Sequence, residues 1–306
     1  MPKSAYMFVV LLFLQCVWLL PIHAQKLIPM GHTVEVQIFM AQYFVKEKVK
    51  LESGKQLHVH DEIERVNDKV LTEELLRQEM KEPISLHVKR GTEKLIIDCT
   101  VAEWQHIRSK ISNETDGIGT LTYVTDDLQK FGALGHPIHL NNNGEFVDGF
   151  IHLAKIQSVV KSEKNTPGYK IIHPKLIAQQ VGRLQTNQAV GVFGRWQQHD
   201  AAQVKEALPI ADTSEITAGE AKMLTQINGD KVEEFTIEIT EMEQQQFHFT
   251  VVDRKLLNTT GGVIQGMSGS PIIQNGQFIG AVTHMFVENP KKGVAITIED
   301  MLKKSK

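Results

Sequence analysis

The sequence predicts a mainly β protein: a small α/β domain over residues 30–103, then a many-stranded barrel or sandwich over residues 104–306. Three observations carry this expectation. Apolar and polar residues alternate in short runs such as Val34-Glu35-Val36-Gln37-Ile38, the period-two pattern of a half-buried strand. Turn signals such as Asn275-Gly276 and Asn228-Gly229-Asp230 separate such runs. Sustained helical periodicity is confined to a few short windows, so helices cannot supply the bulk of the core.

Residues 1–24 stand apart from both parts. Lys3 is the only Lys or Arg before Lys26, and Ala5 to Ile22 is apolar except for Gln15 and Cys16. A basic start followed by such a run reads as a signal peptide or a membrane anchor, with Ile22-His23-Ala24 as a possible cleavage site. The remainder is therefore expected to be exported or membrane-anchored and to work outside the cytoplasm. Cys16 falls in this leader, which leaves Cys99 as the only other cysteine and rules out a disulfide-stapled scaffold. A lone thiol of this kind is expected to be buried rather than reactive.

In the α/β part, Leu57-His58-Val59-His60 alternates as Val34 to Ile38 does, and both are expected strands. Thr72 to Met80 is the helix candidate, with Thr72 as N-cap and Glu73 and Glu74 in the first turn, where the helix dipole favours negative charge. Ile84 to Lys89 and Leu95 to Cys99 form a hairpin through Arg90-Gly91-Thr92-Glu93. The run Asp61-Glu62-Ile63-Glu64-Arg65-Val66-Asn67, with the helix and hairpin after it, resembles the second half of a PDZ domain. There it would wall a groove for an extended peptide, although His60 stands where that family usually has Gly.

The second part contains the expected strands Gly117 to Val124, Phe235 to Ile239, Phe247 to Val252, Ile272-Ile273 and Phe278 to Phe286. Its better helix candidates are Asp200 to Leu208 and Ile298 to Lys304. The whole chain has 306 residues, 42% hydrophobic and 23% charged, with a formal charge of −3. That is a folded globular composition with no basic excess, so nucleic acid is not an expected partner. His58-Val59-His60 lacks a third ligand, H-E-x-x-H is absent, and Gly117-Ile118-Gly119 is a bare G-x-G. No metal or cofactor is expected.

The segment Gly266-Met267-Ser268-Gly269-Ser270-Pro271-Ile272-Ile273 carries the chemistry. A nucleophilic serine needs its Oγ on a tight turn and nearby backbone N–H groups for the oxyanion of a tetrahedral intermediate. The glycines permit such a turn, and the amides of Gly266 and Ser268 would form the oxyanion hole. With the strand, Asn-Gly turn and strand that follow, this pattern resembles the active-site loop of trypsin-like serine proteases, which implies a double β-barrel. Such an enzyme needs a histidine base. Among 13 histidines, His136 stands out because it ends the strand-then-turn segment Phe131-Gly132-Ala133-Leu134-Gly135-His136. In the same class Thr283 would lie on the strand that pairs with the substrate backbone, and His284 in the wall of the substrate cleft.

A closer resemblance lies in Gly117 to Thr122, Gly132 to His136, Thr260 to Gly276 and Gly280 to His284, which are similar to the stage IV sporulation protein B peptidase family. That resemblance implies a leader, a PDZ domain and a C-terminal serine endopeptidase. It implies Ser268 as nucleophile, His136 as base and Asp253 as orienting acid, with Asp148 as the alternative acid. It also implies an enzyme that processes itself in the space between the forespore membranes. The enzyme would then cleave a membrane-embedded regulatory complex, which triggers intramembrane proteolysis and activates a late sigma factor. Met267 replaces the Asp or Asn of digestive and quality-control relatives, which argues against activation through a new N-terminal ion pair. The rival reading is a catalytically inactive, membrane-proximal PDZ scaffold.

Overall fold

A computed structural model describes residues 25–81, 83–138, 146–173, 179–198 and 206–305. The leader, residues 1–24, lies outside the described residues, as does most of the expected helix Asp200 to Leu208, whose last residue begins the short strand Leu208–Pro209.

Two antiparallel barrels of six strands each make up the body of the molecule. The first runs in the order Thr33–Val45, Ile111–Thr125, Lys130–Ala133, Gly191–Trp196, Gln180–Gln188, Asp148–Leu153 and back to Thr33–Val45. Its interior is filled by residues such as Val34, Val36, Ile38, Leu121, Phe131, Ile151, Val181 and Val192, all nearly inaccessible. The second closes through Gly219–Thr225, Glu233–Met242, Gln246–Val251, Asn289–Thr297, Gln277–Phe286 and Pro271–Gln274. Phe235, Ile237, Phe247, Phe249, Met267, Ile272 and Val282 pack inside it. This is the trypsin-like double β-barrel.

The α/β part departs from the expected order of complete domains. The 13-residue strand Thr33–Val45 belongs both to the first barrel and to the extension of the same sheet into the lobe, and its end still pairs with Ser112 and Ile111. Its first half pairs inside the first barrel, from Thr33 opposite Thr120 to Phe39 opposite Glu114. After an irregularity in the register, Tyr43 and Phe44 pair with Ile63 and Glu62 of the next strand, Glu62–Val66. The lobe of residues 40–113 is therefore an insertion between two neighbouring barrel strands, and a boundary between residues 103 and 104 does not separate it from the first barrel. A continuous alternating run satisfies the pleat equally well in barrel and lobe, so the passage from one to the other leaves no mark on the pattern. The lobe keeps its own core, in which Leu57, Ile63, Leu86, Trp104 and Ile107 are almost wholly buried.

Local differences have local causes. Leu57 ends a two-residue strand, and His58 to His60 form a turn closed by Asp61, whose Oδ2 accepts from the His58 amide (2.8 Å). His60 has φ 72°, and Val59 points to solvent. The expected helix from Thr72 shortens to Glu73–Arg77, with Thr72 capping the Leu75 amide. A second helix, Val101–Arg108, is opened by a reciprocal capping box between Thr100 and Glu103. Asn67, in the PDZ-like run, takes φ 52° and accepts from the Ser85 amide, so its role is to turn the chain. Cys99 is buried, and burial pushes its thiol up to about 12, well out of the reactive range.

Candidate active site

The serine loop lies where the two barrels meet. Thr120, on a first-barrel strand, donates its amide to the Ser268 carbonyl (2.8 Å) and its hydroxyl to the Gly266 carbonyl (2.8 Å). From the second barrel, the Val282 carbonyl accepts the Gly269 amide (2.7 Å). The Met267 amide donates to Ile264, and the Ser270 amide to Met267. Among the described residues, the amides of Gly266 and Ser268 donate to no acceptor. Two adjacent donors are thus left free beside the serine, the arrangement an oxyanion hole requires.

The loop depends on glycine at Gly269, which has φ 91°. A Cβ there would stand 2.2 Å from the Thr120 carbonyl oxygen and 2.5 Å from the Leu134 amide nitrogen. Overpacking costs about 1–3 kcal/mol and the left-handed conformation adds about 1–2. Gly269→Ala is therefore expected to lower the melting temperature in calorimetry and to abolish hydrolysis.

The strand Lys130–Ala133 delivers His136 to the same junction. Leu134 and Gly135 both have positive φ (74° and 70°), which turns the chain against the strand Gln277–Phe286. His136 Nδ1 lies 2.9 Å from the Pro137 carbonyl. A carbonyl only accepts, so Nδ1 carries the proton and Nε2 keeps the lone pair a base needs. Ser268 Oγ donates to the Thr283 carbonyl (2.8 Å), and the Thr283 hydroxyl donates to Val294. His136, Thr283 and His284 share a cavity of about 760 Å³, also lined by Glu243 and Asp300. Burial lowers the His284 pKa first, and the charges of His136 and His248 lower it further.

The expected orienting acids are not at the base. Asp253 follows the end of the strand Gln246–Val251 and is the N-cap of the helix Arg254–Thr260. Its Oδ1 accepts from Leu256 (2.9 Å) and its Oδ2 from the Thr236 amide (3.5 Å). His248 and His284 both stand opposite Val294, and Asp253 comes five residues after His248, on the order of 17 Å along extended chain. The Asp253 carboxylate is thus engaged as a helix cap, and among the described residues no hydrogen bond joins it to His136. Asp148 is also occupied, by the Arg183 guanidinium (2.9 and 3.0 Å). The turn Ala189-Val190 before the strand Gly191–Trp196 lines the His136 cavity and carries no carboxylate. The acids that do share the cavity are Glu243, 3.2 Å from His248, and Asp300, paired with Lys304 at 2.7 Å. Neither drew notice as sequence, because only the closed barrel brings residues 243 and 300 to residue 136. Among the described residues no group of three or more His, Cys, Asp or Glu is placed to hold a metal.

The model of the SpoIVB peptidase S55 family matches residues 105–302. The chain belongs to that family. It is a serine endopeptidase, and the matched region takes in both Ser268 and His136. No curated protein matches this S55 peptidase. Among solved structures it is similar to the active form of the Rv3671c protease from M. tuberculosis, with 13% identity and a TM-score of 0.37, covering 62% of this chain and 73% of that one. It is also similar to the protease Anisep from Arthrobacter nicotinovorans, with 9% identity and a TM-score of 0.37, covering 89% and 92%. The human heparin binding protein follows at 10% identity and 0.31, covering 57% and 72%. These likenesses are remote, and the double barrel stands on its own strand pairings.

Proposed function

We propose that this S55 peptidase cleaves protein substrates with Ser268 as nucleophile and His136 as general base. The observation that carries the reading is the serine loop clamped between the barrels with the Gly266 and Ser268 amides unengaged, beside a histidine whose tautomer leaves Nε2 basic. For attack, Ser268 Oγ leaves the Thr283 carbonyl to which it now donates and gives its proton to His136 Nε2. His136 takes the proton as Oγ adds to the scissile carbonyl, and the two amides hold the oxyanion. The imidazolium then protonates the leaving amine, and water repeats the sequence on the acyl-enzyme. The Pro137 carbonyl orients the ring in place of a carboxylate. Thr283 and His284 line the cleft in which the substrate backbone lies.

The family supports the finer reading: an exported or membrane-anchored enzyme that processes itself and cleaves a membrane-associated regulatory protein. That cut triggers intramembrane proteolysis and late sigma-factor activation during sporulation, in the space between the forespore membranes. The inserted lobe, PDZ-like in its Asp61 to Asn67 run, would recruit the partner. The full chain and its Ser268→Ala variant, incubated with a fluorophosphonate probe and followed for self-cleavage, test the reading. Labelling and self-cleavage are expected in the wild type alone. A labelled Ser268→Ala chain, or a wild type that takes no label, sinks it.

A further inference from the structure

Lys170 is a buried lysine at the junction of the two barrels. It sits on the second arm of the hairpin Ile156–Val160/Tyr169–Ile172, which leaves the first barrel and lies over the loop leading to Ser268. The Lys170 amide donates to the Gln265 carbonyl (3.1 Å), and the Gln265 amide to Gly168 (2.8 Å). The side chain then runs inward until it is 3% exposed. Its Nζ donates to the hydroxyls of Thr33 (3.0 Å), Thr225 (3.1 Å) and Thr120 (3.5 Å), from three different strands. All three threonines are fully buried, and among the described residues no carboxylate pairs with Lys170. Burial alone pushes its ammonium down to about 7. An amine buried without a countercharge is costly, which asks what it does there.

Two of these contacts converge on one residue of the serine loop. The Lys170 methylenes lie so close to Gly266 that an added Cβ would meet them at 3.0, 3.2 and 3.3 Å. The Thr120 hydroxyl that accepts from Nζ is the one that donates to the Gly266 carbonyl at 2.8 Å. Trypsin-like loops with Asp at the residue before the serine can be locked by an ion pair; here that residue is Met267, wholly buried in the apolar core of the second barrel.

We infer that Lys170 is a positioning residue for hydrolysis: through Thr120 its side chain fixes the Gly266 carbonyl, and with it the Gly266–Met267 peptide that links the two oxyanion donors, while its backbone amide holds the Gln265 carbonyl, the oxygen of the peptide that carries the Gly266 N–H. The stem packs against the Gly266 α-carbon and the hydroxyl relay holds the Gly266 oxygen, so the stretch between the two donors is fixed from both sides. The inference rests on the Ser268 reading above.

The test uses the full chain and a fluorophosphonate probe, whose phosphoryl oxygen occupies the oxyanion site, with kinact and KI measured separately. Lys170→Met and Thr120→Val are expected to lower kinact about 10- to 100-fold, less than the about 10²- to 10³-fold lost when an oxyanion donor is removed outright, with KI within about threefold. The double variant should be no slower than the slower single one, because both break the same relay. Thr225→Val removes a hydroxyl bound to Lys170 that has no contact with Gly266, so its kinact should fall much less than that of Thr120→Val. A merely structural junction predicts equal effects of Thr120→Val and Thr225→Val, and that result overturns the inference, as does an unchanged kinact in Thr120→Val. If Lys170→Met does not fold, as read by circular dichroism, the two threonine variants decide the matter alone. A wild type that takes no label overturns the Ser268 reading and the relay with it. A labelled wild type with unaltered Lys170→Met kinetics overturns the relay only.

Discussion

His136→Ala is expected to lower kcat for peptide hydrolysis by on the order of 10⁴- to 10⁶-fold, while Asp253→Asn stays within about tenfold of wild type. Without the imidazole the proposed base for Ser268 is gone, and what remains is the contribution of the oxyanion amides and of binding. Asp253 presents the opposite case. Its carboxylate serves the first turn of the helix Arg254–Thr260, and asparagine caps a helix as well as aspartate does. A true triad acid changed to the amide costs about 10⁴-fold, because the histidine is then held in the wrong tautomer. Here the Pro137 carbonyl sets the tautomer, and it survives every side-chain substitution. Asp253→Ala should instead lose about 1 kcal/mol of stability with the cap. Steady-state kinetics and thermal melts of the three variants read these outcomes apart. A loss near 10⁴-fold in Asp253→Asn would restore Asp253 to the catalytic set and require the helix it caps to move.

The serine loop could be read from the chain because its requirements are contiguous: glycines at Gly266 and Gly269, the serine between them, then a strand, an Asn-Gly turn and another strand. The hairpin Pro271–Gln274/Gln277–Phe286 forms as that local chemistry demands, with Asn275 and Gly276 both at positive φ. The resemblance places Asp253 in the triad by position, whereas Asp253 followed by Arg254-Lys255-Leu256-Leu257 is also a helix start, and the cap uses the carboxylate. Lys170 is hidden in the sequence for a different reason. In Tyr169-Lys170-Ile171-Ile172 a single lysine looks like the solvent side of a strand, and only the folding of its hairpin across the barrel junction buries it. The insertion of the lobe is hidden in the same way, since one alternating run serves both the barrel and the lobe. Local chemistry is written in consecutive residues. Which strand neighbours which is decided by closure of the barrels, and the cavity around His136 is a product of that closure.

The lobe offers the largest expected stability effect. Asp61, the acidic residue of the PDZ-like run, is 1% exposed. Its two oxygens accept from Arg90 Nε (2.8 Å) and Nη2 (2.7 Å), and Oδ2 also takes the His58 amide. Arg90 Nη2 further donates to the Gln56 carbonyl (2.9 Å), so one guanidinium ties the turn at residues 56–61 to the hairpin Ile84–Arg90/Glu93–Cys99. The hydrogen bond to Asp61, more than its charge, holds the Arg90 pKa above its usual value. Arg90→Ala leaves a buried carboxylate with no countercharge and is expected to cost about 3–5 kcal/mol. Arg90→Lys should recover only part, since an ammonium cannot make the two-pronged contact. The loss should stay within the lobe. Phe39 and Glu114, where the chain leaves and re-enters the first barrel, are paired neighbours, so residues 40–113 can open while the barrel strands remain hydrogen-bonded. In Arg90→Ala, amide exchange is expected to speed up across Ile84–Cys99 and stay slow in the second barrel, with fluorophosphonate labelling of Ser268 retained. Loss of labelling in step with the lobe would instead show that lobe and barrels unfold as one unit, and that the strand Thr33–Val45 transmits strain from Asp61 to the loop that holds the nucleophile.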